Sequence, residues 1–523
     1  MKKYFNISFN FFFLLYIIFL SLTFLQSLKQ DFTSIIDFDL TVIHNSLQLI
    51  SNEYPDYTDH TAYSQFLING IVYKMVGFID QSLITNINSL TESENPEFTL
   101  QKLYIISRVL NSSLLLISLI FIFKILGKFN VKAYLKYFAI LLIILSETFW
   151  ANFTILRADT ISICFFWISF YFLIDFLNKE KIINLFYVSF FMILSLLAKV
   201  QIIFLFIFIY FFFIFYFTLE KENINILRKE NIFFKEINFK FKYILFFIFL
   251  LYFLFQLFLN NFVSSSSGVG YFDTFLFIIY FSIIYITMNF VKTRIFDKEN
   301  YLYGIFTTVI LFSIFNVTIL KFLNIINLIK IDFNIIFSLT NPFYFLKAYS
   351  TFIENDFSIS MIFGMLSLLF QTPKFDLIYI FLLLIVLSGS FYKLYSCKDK
   401  IDNKIIYVIL FCFIATFLIA LNNFRYLVVY NLYIIPFLFI SSVIFLNTFK
   451  KNYEITYSSI ILLFLILNFW INIDKGKSYV FKPSNFEQVC STKSIRDFYY
   501  NWARNFDEDF FKKICKNKKF IFK

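Results

Sequence analysis

A chain of 523 residues that is 59% hydrophobic, 23% aromatic and only 15% charged does not have the make-up of a soluble globular protein, in which about 25% of residues carry charge. Its mean hydropathy of +0.74 is concentrated in long apolar runs, each close to the ~20 residues that cross a ~30 Å hydrocarbon core as a helix. The net charge of +12 lies in connections and the tail, not interleaved with stacking residues, so no nucleic-acid partner is expected and orientation in a membrane explains it.

The expected fold is all-α: a polytopic integral membrane protein, because helices satisfy their own backbone hydrogen bonds in lipid. Thirteen spans are predicted, at 8–28, 103–126, 133–151, 158–177, 183–198, 200–218, 243–262, 273–291, 303–322, 376–396, 405–422, 426–447 and 455–472. The first follows "MKKYF", which resembles a signal peptide, but no small-x-small site comes after it; an uncleaved span is expected. With 84 Phe and 34 Tyr against 9 Gly, single aromatics reflect compositional drift and carry little functional meaning.

Lys and Arg favour cytoplasmic connections, and with the amino terminus inside every predicted inner connection is basic. Lys128 and Lys132 come first, then Lys179 and Lys181, then Lys221, Arg228, Lys229, Lys235, Lys240 and Lys242. Lys292, Arg294 and Lys298, the group Lys398, Lys400 and Lys404, and the pair Lys450 and Lys451 complete the series, while the outer turn "SSSSGVGY" has none. The domain organisation that follows is a transmembrane domain over 1–472 and an extracytoplasmic tail over 473–523. Two outer loops belong to the first: 30–102, with interfacial helices such as "AYSQFLINGIVYKMVGFI", and 323–375. The tail holds Cys490 and Cys515, two of five cysteines. Outside the cytoplasm a disulfide is permitted there, and both the paired and the unpaired states are open.

Unusual polar residues gather on the outer side. The chain leaves its first span through "DFDLTVIHN", bearing Asp37, Asp39 and His44, and Asp59 and His60 follow in the same loop. Arg108 lies in the first turns of the second span. Arg157 and Asp159 form "LRADT" at the start of the fourth, Lys199 sits at the outer turn after the fifth, and Arg425 begins the twelfth. Each cation alone reads more readily as a snorkelling anchor. Together they suit chemistry on a hydroxyl nucleophile and a lipid phosphate, with a carboxylate accepting a proton and cations stabilising phosphate oxygens. Asp39 has the greater reach and is the preferred base, with Asp37 next. In an extended segment both acids face one side, and in a helix they diverge by about 200°.

In "DFD", "DHTAYSQFLINGIVYKMVG", "SRVL", "RADT", Lys199 and Arg425-Tyr426 with Pro436, the chain resembles the lipid-linked-sugar glycosyltransferases of the GT-C superfamily, especially bacterial members related to protein O-mannosyltransferases and aminoarabinose transferases. The order of these pieces covers residues 8–220, and the remainder only through Arg425. The common acidic pair of that family is Asp-Glu where this chain has Asp-Phe-Asp, and its His-Pro-Pro-Leu corresponds to His60-Thr61-Ala62-Tyr63.

The resemblance implies transfer of a sugar from a polyprenyl-phosphate donor to a hydroxyl acceptor, on the extracytoplasmic side of the inner (plasma) membrane. Asp39 and Asp37 would be catalytic. Arg157, Asp159, Lys199, Arg425, Arg108, His60 and Asp59 would bind substrate, with membrane lipid as the other partner. No cofactor is expected; the spacing of the acids and histidines matches no standard metal set, and a divalent metal is the one option left open. Two other classes fit a chain with so many spans. A lipid flippase or transporter usually has internal repeats and broken helices, neither of which the sequence displays. A polysaccharide enzyme of the O-antigen polymerase or ligase kind concentrates its functional loop late, where 323–375 lies.

Overall fold

The computed structural model describes residues 2–199, apart from 29, 35–38, 54, 57–61 and 180–181, together with 202, 435–447, 451–471, 486–492 and 503–516. Among these residues the structure is helical, with no strand. Among the described residues three helices are long and apolar enough to cross a membrane, or up to four if a bent pair is counted as one span. The chain is accordingly described as a membrane protein. The predicted spans between 203 and 434, the loop at 323–375, and Asp37, Asp59, His60 and Arg425 lie outside the described residues.

Helix α1, Lys2–Ser27, carries the first span. Helix α5, Pro96–Lys128, carries the second and starts earlier than 103, because Pro96 is suited to the first turn of a helix and the first turns lie beyond the apolar run. Just past its end Asn130 adopts a left-handed φ of 54° while the Val131 N–H reaches back to Leu126 O at 3.2 Å, a termination that Asn tolerates. Helices α8, Ala158–Lys179, and α9, Ile182–Ala198, form a hairpin zipped by small residues. Ser162 Oγ donates to Ser195 O at 3.0 Å and Ser195 Oγ donates to Ser162 O at 2.7 Å, the close backbone approach that small residues allow in membranes.

The predicted span 133–151 is built from two helices. Helix α6, Ala133–Ile144, and helix α7, Glu147–Thr154, meet at a 62° bend. No Gly or Pro makes it. Ser146 does, as an N-cap whose side chain accepts from the Phe149 N–H at 3.2 Å, restarting the helix in a new direction. Late in the chain, α10, Ile435–Leu446, and α11, Lys451–Ile471, rejoin the bundle. Phe19, Leu119, Ile143, Phe166, Phe439 and Val443 share one core. Leu14, Ile17, Leu463 and Leu467 stay exposed on α1 and α11, as faces meeting lipid tails would.

The two ends of the bundle differ. At one, Lys128 pairs with Asp175, which also accepts from Asn184 Nδ2 at 3.1 Å. There, too, the Asn447 amide bonds Lys132 N at 3.1 Å and Asn130 O at 3.3 Å. This joins connections that the charge pattern places on one side. The other end is covered by the first loop. Helix α2, Asp39–Ile50, is buried on every face, so it is a core element and not an interfacial one. Helix α3, Tyr63–Ile79, packs across it, and its last turn leaves Met75, Phe78 and Ile79 exposed. Helix α4, Ile87–Glu92, starts at Asn86, which caps Asn88 N and Ser89 N.

The described residues of the tail pack on the first loop. Cys490 and Cys515 form a disulfide across 25 residues, a closure worth a few kcal/mol to so small a unit. It joins α12, Phe486–Ser491, to α13, Glu508–Lys516. Phe486, Val489, Phe506, Phe510, Phe511 and Ile514 pack into the same apolar cluster as Leu40, Ile43 and Leu47 of α2. Polar contacts fix the register. Gln48 Nε2 donates to Asn505 Oδ1 at 3.0 Å, and the Arg504 N–H donates to Asp56 Oδ2 at 2.8 Å.

The α2–α3 crossing depends on Gly70, where a Cβ would overlap Ile50 Cγ2 and lie 3.2 Å from Ser46 O. Gly70→Ala is therefore expected to destabilise the loop by about 1–3 kcal/mol, read as a lower thermal midpoint in detergent, and Ile50→Ala in the same chain should recover part of it.

Candidate functional site

The predicted polar residues that the structure describes converge at the end covered by α2 and α3. Asp39 is the first residue of α2, a place where the helix dipole favours a carboxylate. It is fully buried. Its Oδ1 accepts the Leu156 N–H at 2.8 Å, and its Oδ2 lies 3.7 Å from Arg108 Nη1. Leu156 belongs to the short non-helical segment between α7 and α8, one residue before Arg157.

Arg108 is about three turns into α5 and is buried, so it is not a snorkelling anchor. Its Nη1 donates to Thr154 O, and its Nη2 donates to Gln26 Oε1 at 2.8 Å and Gln30 Oε1 at 3.3 Å. One turn along α5, Asn111 Nδ2 donates to Asn152 O at 2.7 Å. Together these side chains satisfy carbonyls at the end of α7, where a helix leaves its last C=O groups without internal partners. The structure thus gives Arg108 a structural task that its sequence position alone does not reveal. Gln26, Gln30 and Asn111 were not among the sequence candidates. The i, i+4 spacing of two glutamines at the end of an apolar run was the available signal.

Arg157, Asp159 and Lys199 form a second group, all buried. Arg157 Nε donates to Asp159 Oδ2 at 2.9 Å, and Lys199 Nζ lies 3.9 Å from the same oxygen. Lys199 follows the last turn of α9, its N–H reaching Ser195 O at 3.0 Å. The α8–α9 hairpin therefore carries this group, with Asp159 at the start of one helix and Lys199 at the end of the other. Burial pushes the Lys199 ammonium down to about 8; Asp159 opposes that shift and Arg157 adds to it.

His44 is placed apart from these cations. It is buried under the tail, its Nε2 3.3 Å from Asn505 Oδ1 and its ring edge-on to Phe506 at 4.6 Å between centroids. Burial pulls its pKa down to about 3, against a smaller opposing effect of Asn505. It is neutral at physiological pH and acts as a packing and hydrogen-bonding group. Among the described residues no set of three or more His, Cys, Asp or Glu side chains converges in a way that would hold a metal ion.

Compared with known proteins, the chain matches no family model and no curated sequence.

The Lys199 environment is open to direct titration. In chain labelled with ¹³C at lysine Cε, one resonance should titrate near pH 8, vanish in Lys199→Arg, and move lower still in Asp159→Asn, which removes the group raising it. Because the folded value lies below the ordinary 10.5, the desolvation cost is fully present below pH 8. It is shed as pH rises toward the unfolded value, so this group makes stability increase across that window.

Proposed function

We propose that the chain is a membrane glycosyltransferase of GT-C-like architecture, moving a sugar from a polyprenyl-phosphate donor to a hydroxyl acceptor. The observation that carries this reading is the meeting of Arg157, Lys199 and Asp159 within 4 Å at the loop-covered end. Two cations held beside one carboxylate, away from bulk water, suit phosphate oxygens that gain charge as the glycosyl bond breaks. A carboxylate of the first loop would take the proton of the attacking hydroxyl. Arg425, Asp59 and His60 are proposed as further substrate-binding residues on the family resemblance alone.

The topology proposed with it has thirteen spans in the inner (plasma) membrane, with the site on the extracytoplasmic side. Two findings support that sidedness. The tail packs on the first loop, which requires an even number of crossings between residues 103 and 472, and the predicted spans supply twelve. The Cys490–Cys515 disulfide suits an oxidising compartment.

A lipid flippase or transporter is the second reading, and the bent α6–α7 pair is the observation in its favour, since broken helices are common in transporters. Such a protein would move the lipid and leave the sugar on it.

In proteoliposomes supplied with polyprenyl-phosphate hexose and a hydroxyl acceptor, wild-type chain should transfer sugar. Lys199→Ala and Arg157→Ala should each lower kcat/KM about ten- to a hundredfold, the loss of one charge-assisted contact of about 1.5–3 kcal/mol. Lys128→Ala, at the opposite end of the bundle, should not. Lipid translocation without sugar transfer would favour the flippase, and wild-type turnover in both cation variants would remove the phosphate assignment.

A further inference from the structure

Asp39 stands between the first loop and the cations, and its contacts define a role different from proton transfer. Its Oδ1 holds the Leu156 N–H at 2.8 Å, and its Oδ2 faces Arg108 at 3.7 Å. Arg108 in turn holds Thr154 O. One acid–base pair therefore grips the chain on both sides of Ile155, in the segment where neither α7 nor α8 supplies a helical hydrogen-bond ladder. The next residue is Arg157, whose Nε is directed at Asp159. Swinging the Asp39 carboxylate out toward a substrate hydroxyl would loosen its hold on Leu156, and the segment presenting Arg157 would lose an anchor.

We propose that Asp39 is a positioning residue: through Leu156 and Arg108 it fixes the segment that presents Arg157 to a lipid phosphate, and it does not itself take the proton. This rests on the glycosyltransferase reading for its substrate, but not for its geometry. An Asn at position 39 keeps an oxygen for Leu156 and replaces the charged acceptor facing Arg108 with a neutral amide donor. An Ala loses both. The two variants therefore separate positioning from base catalysis.

The test uses full-length chain in proteoliposomes, with hydrogen exchange at the Leu156 amide, binding of polyprenyl phosphate lacking a sugar, and the pH profile of transfer from polyprenyl-phosphate hexose. Asp39→Asn should keep Leu156 slow to exchange, keep the acidic limb of the kcat profile where wild type has it, and raise KM about three- to tenfold. Asp39→Ala should speed Leu156 exchange and weaken binding of the bare lipid by more than about tenfold. A loss of about 10²–10⁴ in kcat for Asp39→Asn with its acidic limb abolished, Leu156 staying protected, is the signature of a general base and would overturn the proposal. Unchanged Leu156 exchange in Asp39→Ala would overturn it as well. If Asp39→Ala does not fold, the Asn profile decides alone. If wild type transfers no sugar, the glycosyltransferase reading falls, while exchange and bare-lipid binding still test the positioning role.

Discussion

The bond from Arg108 to the Thr154 carbonyl is the contact on which the loop-covered end depends. A span that breaks inside a membrane protein strands backbone carbonyls, and lipid offers nothing to satisfy them. The α6–α7 bend creates that problem, and Arg108 and Asn111 of α5 solve it with donors aimed at Thr154 and Asn152. A buried guanidinium then needs its own compensation, which Gln26, Gln30 and Asp39 provide. Removing one partner of such a pair typically costs 3–5 kcal/mol because the other is left buried and uncompensated. The break, the arginine and the first-loop acid are thus a single unit, and the Arg157 group is mounted on it.

The loop and the tail form the lid of that unit. Helix α2 has no solvent-facing side; α3, the start of α5 and the disulfide-closed tail enclose it. The forces differ from those lower in the bundle. Between spans, tight packing and small residues such as Ser162 and Ser195 hold helices together. In the lid, removal of apolar surface from water contributes about 1.5–3 kcal/mol for each large buried side chain, and Leu40, Ile43, Phe506 and Phe510 are all of that kind. Gln48, Asp56 and Asn505 then select one register for the tail.

Much of this was legible in the residues. Apolar runs located α1, α5, α8, α9 and α11, and basic connections identified the end where Lys132 meets Asn447. The shared outer-side placement of Arg157, Asp159 and Lys199 was the signal for their meeting. The bend was not legible by the usual signs, because neither Gly nor Pro marks it. The polar run Ser146, Glu147, Thr148, Asn152, Thr154 was the usable trace: too polar for mid-span, and opening with a good N-cap. The tasks of Arg108 and Asp39 were hidden for a different reason. Each depends on partners from other segments, and the side chains of residues 26, 39 and 108 meeting the backbone of 154 and 156 leave no local pattern. Asp39 was expected to reach toward substrate, with an extended and a helical backbone both open there. As the first residue of a helix, its carboxylate turns inward to Leu156.

Photolabelling would address the phosphate site most directly. Reconstituted chain would be irradiated with a polyprenyl phosphate bearing a diazirine beside the phosphate, and the modified peptides mapped by mass spectrometry. Adducts within 154–160 and 195–199, suppressed by excess unlabelled polyprenyl phosphate, are expected if Arg157 and Lys199 hold the donor. Adducts confined to the exposed faces of α1 and α11, and insensitive to competitor, would contradict a phosphate site at this end of the bundle.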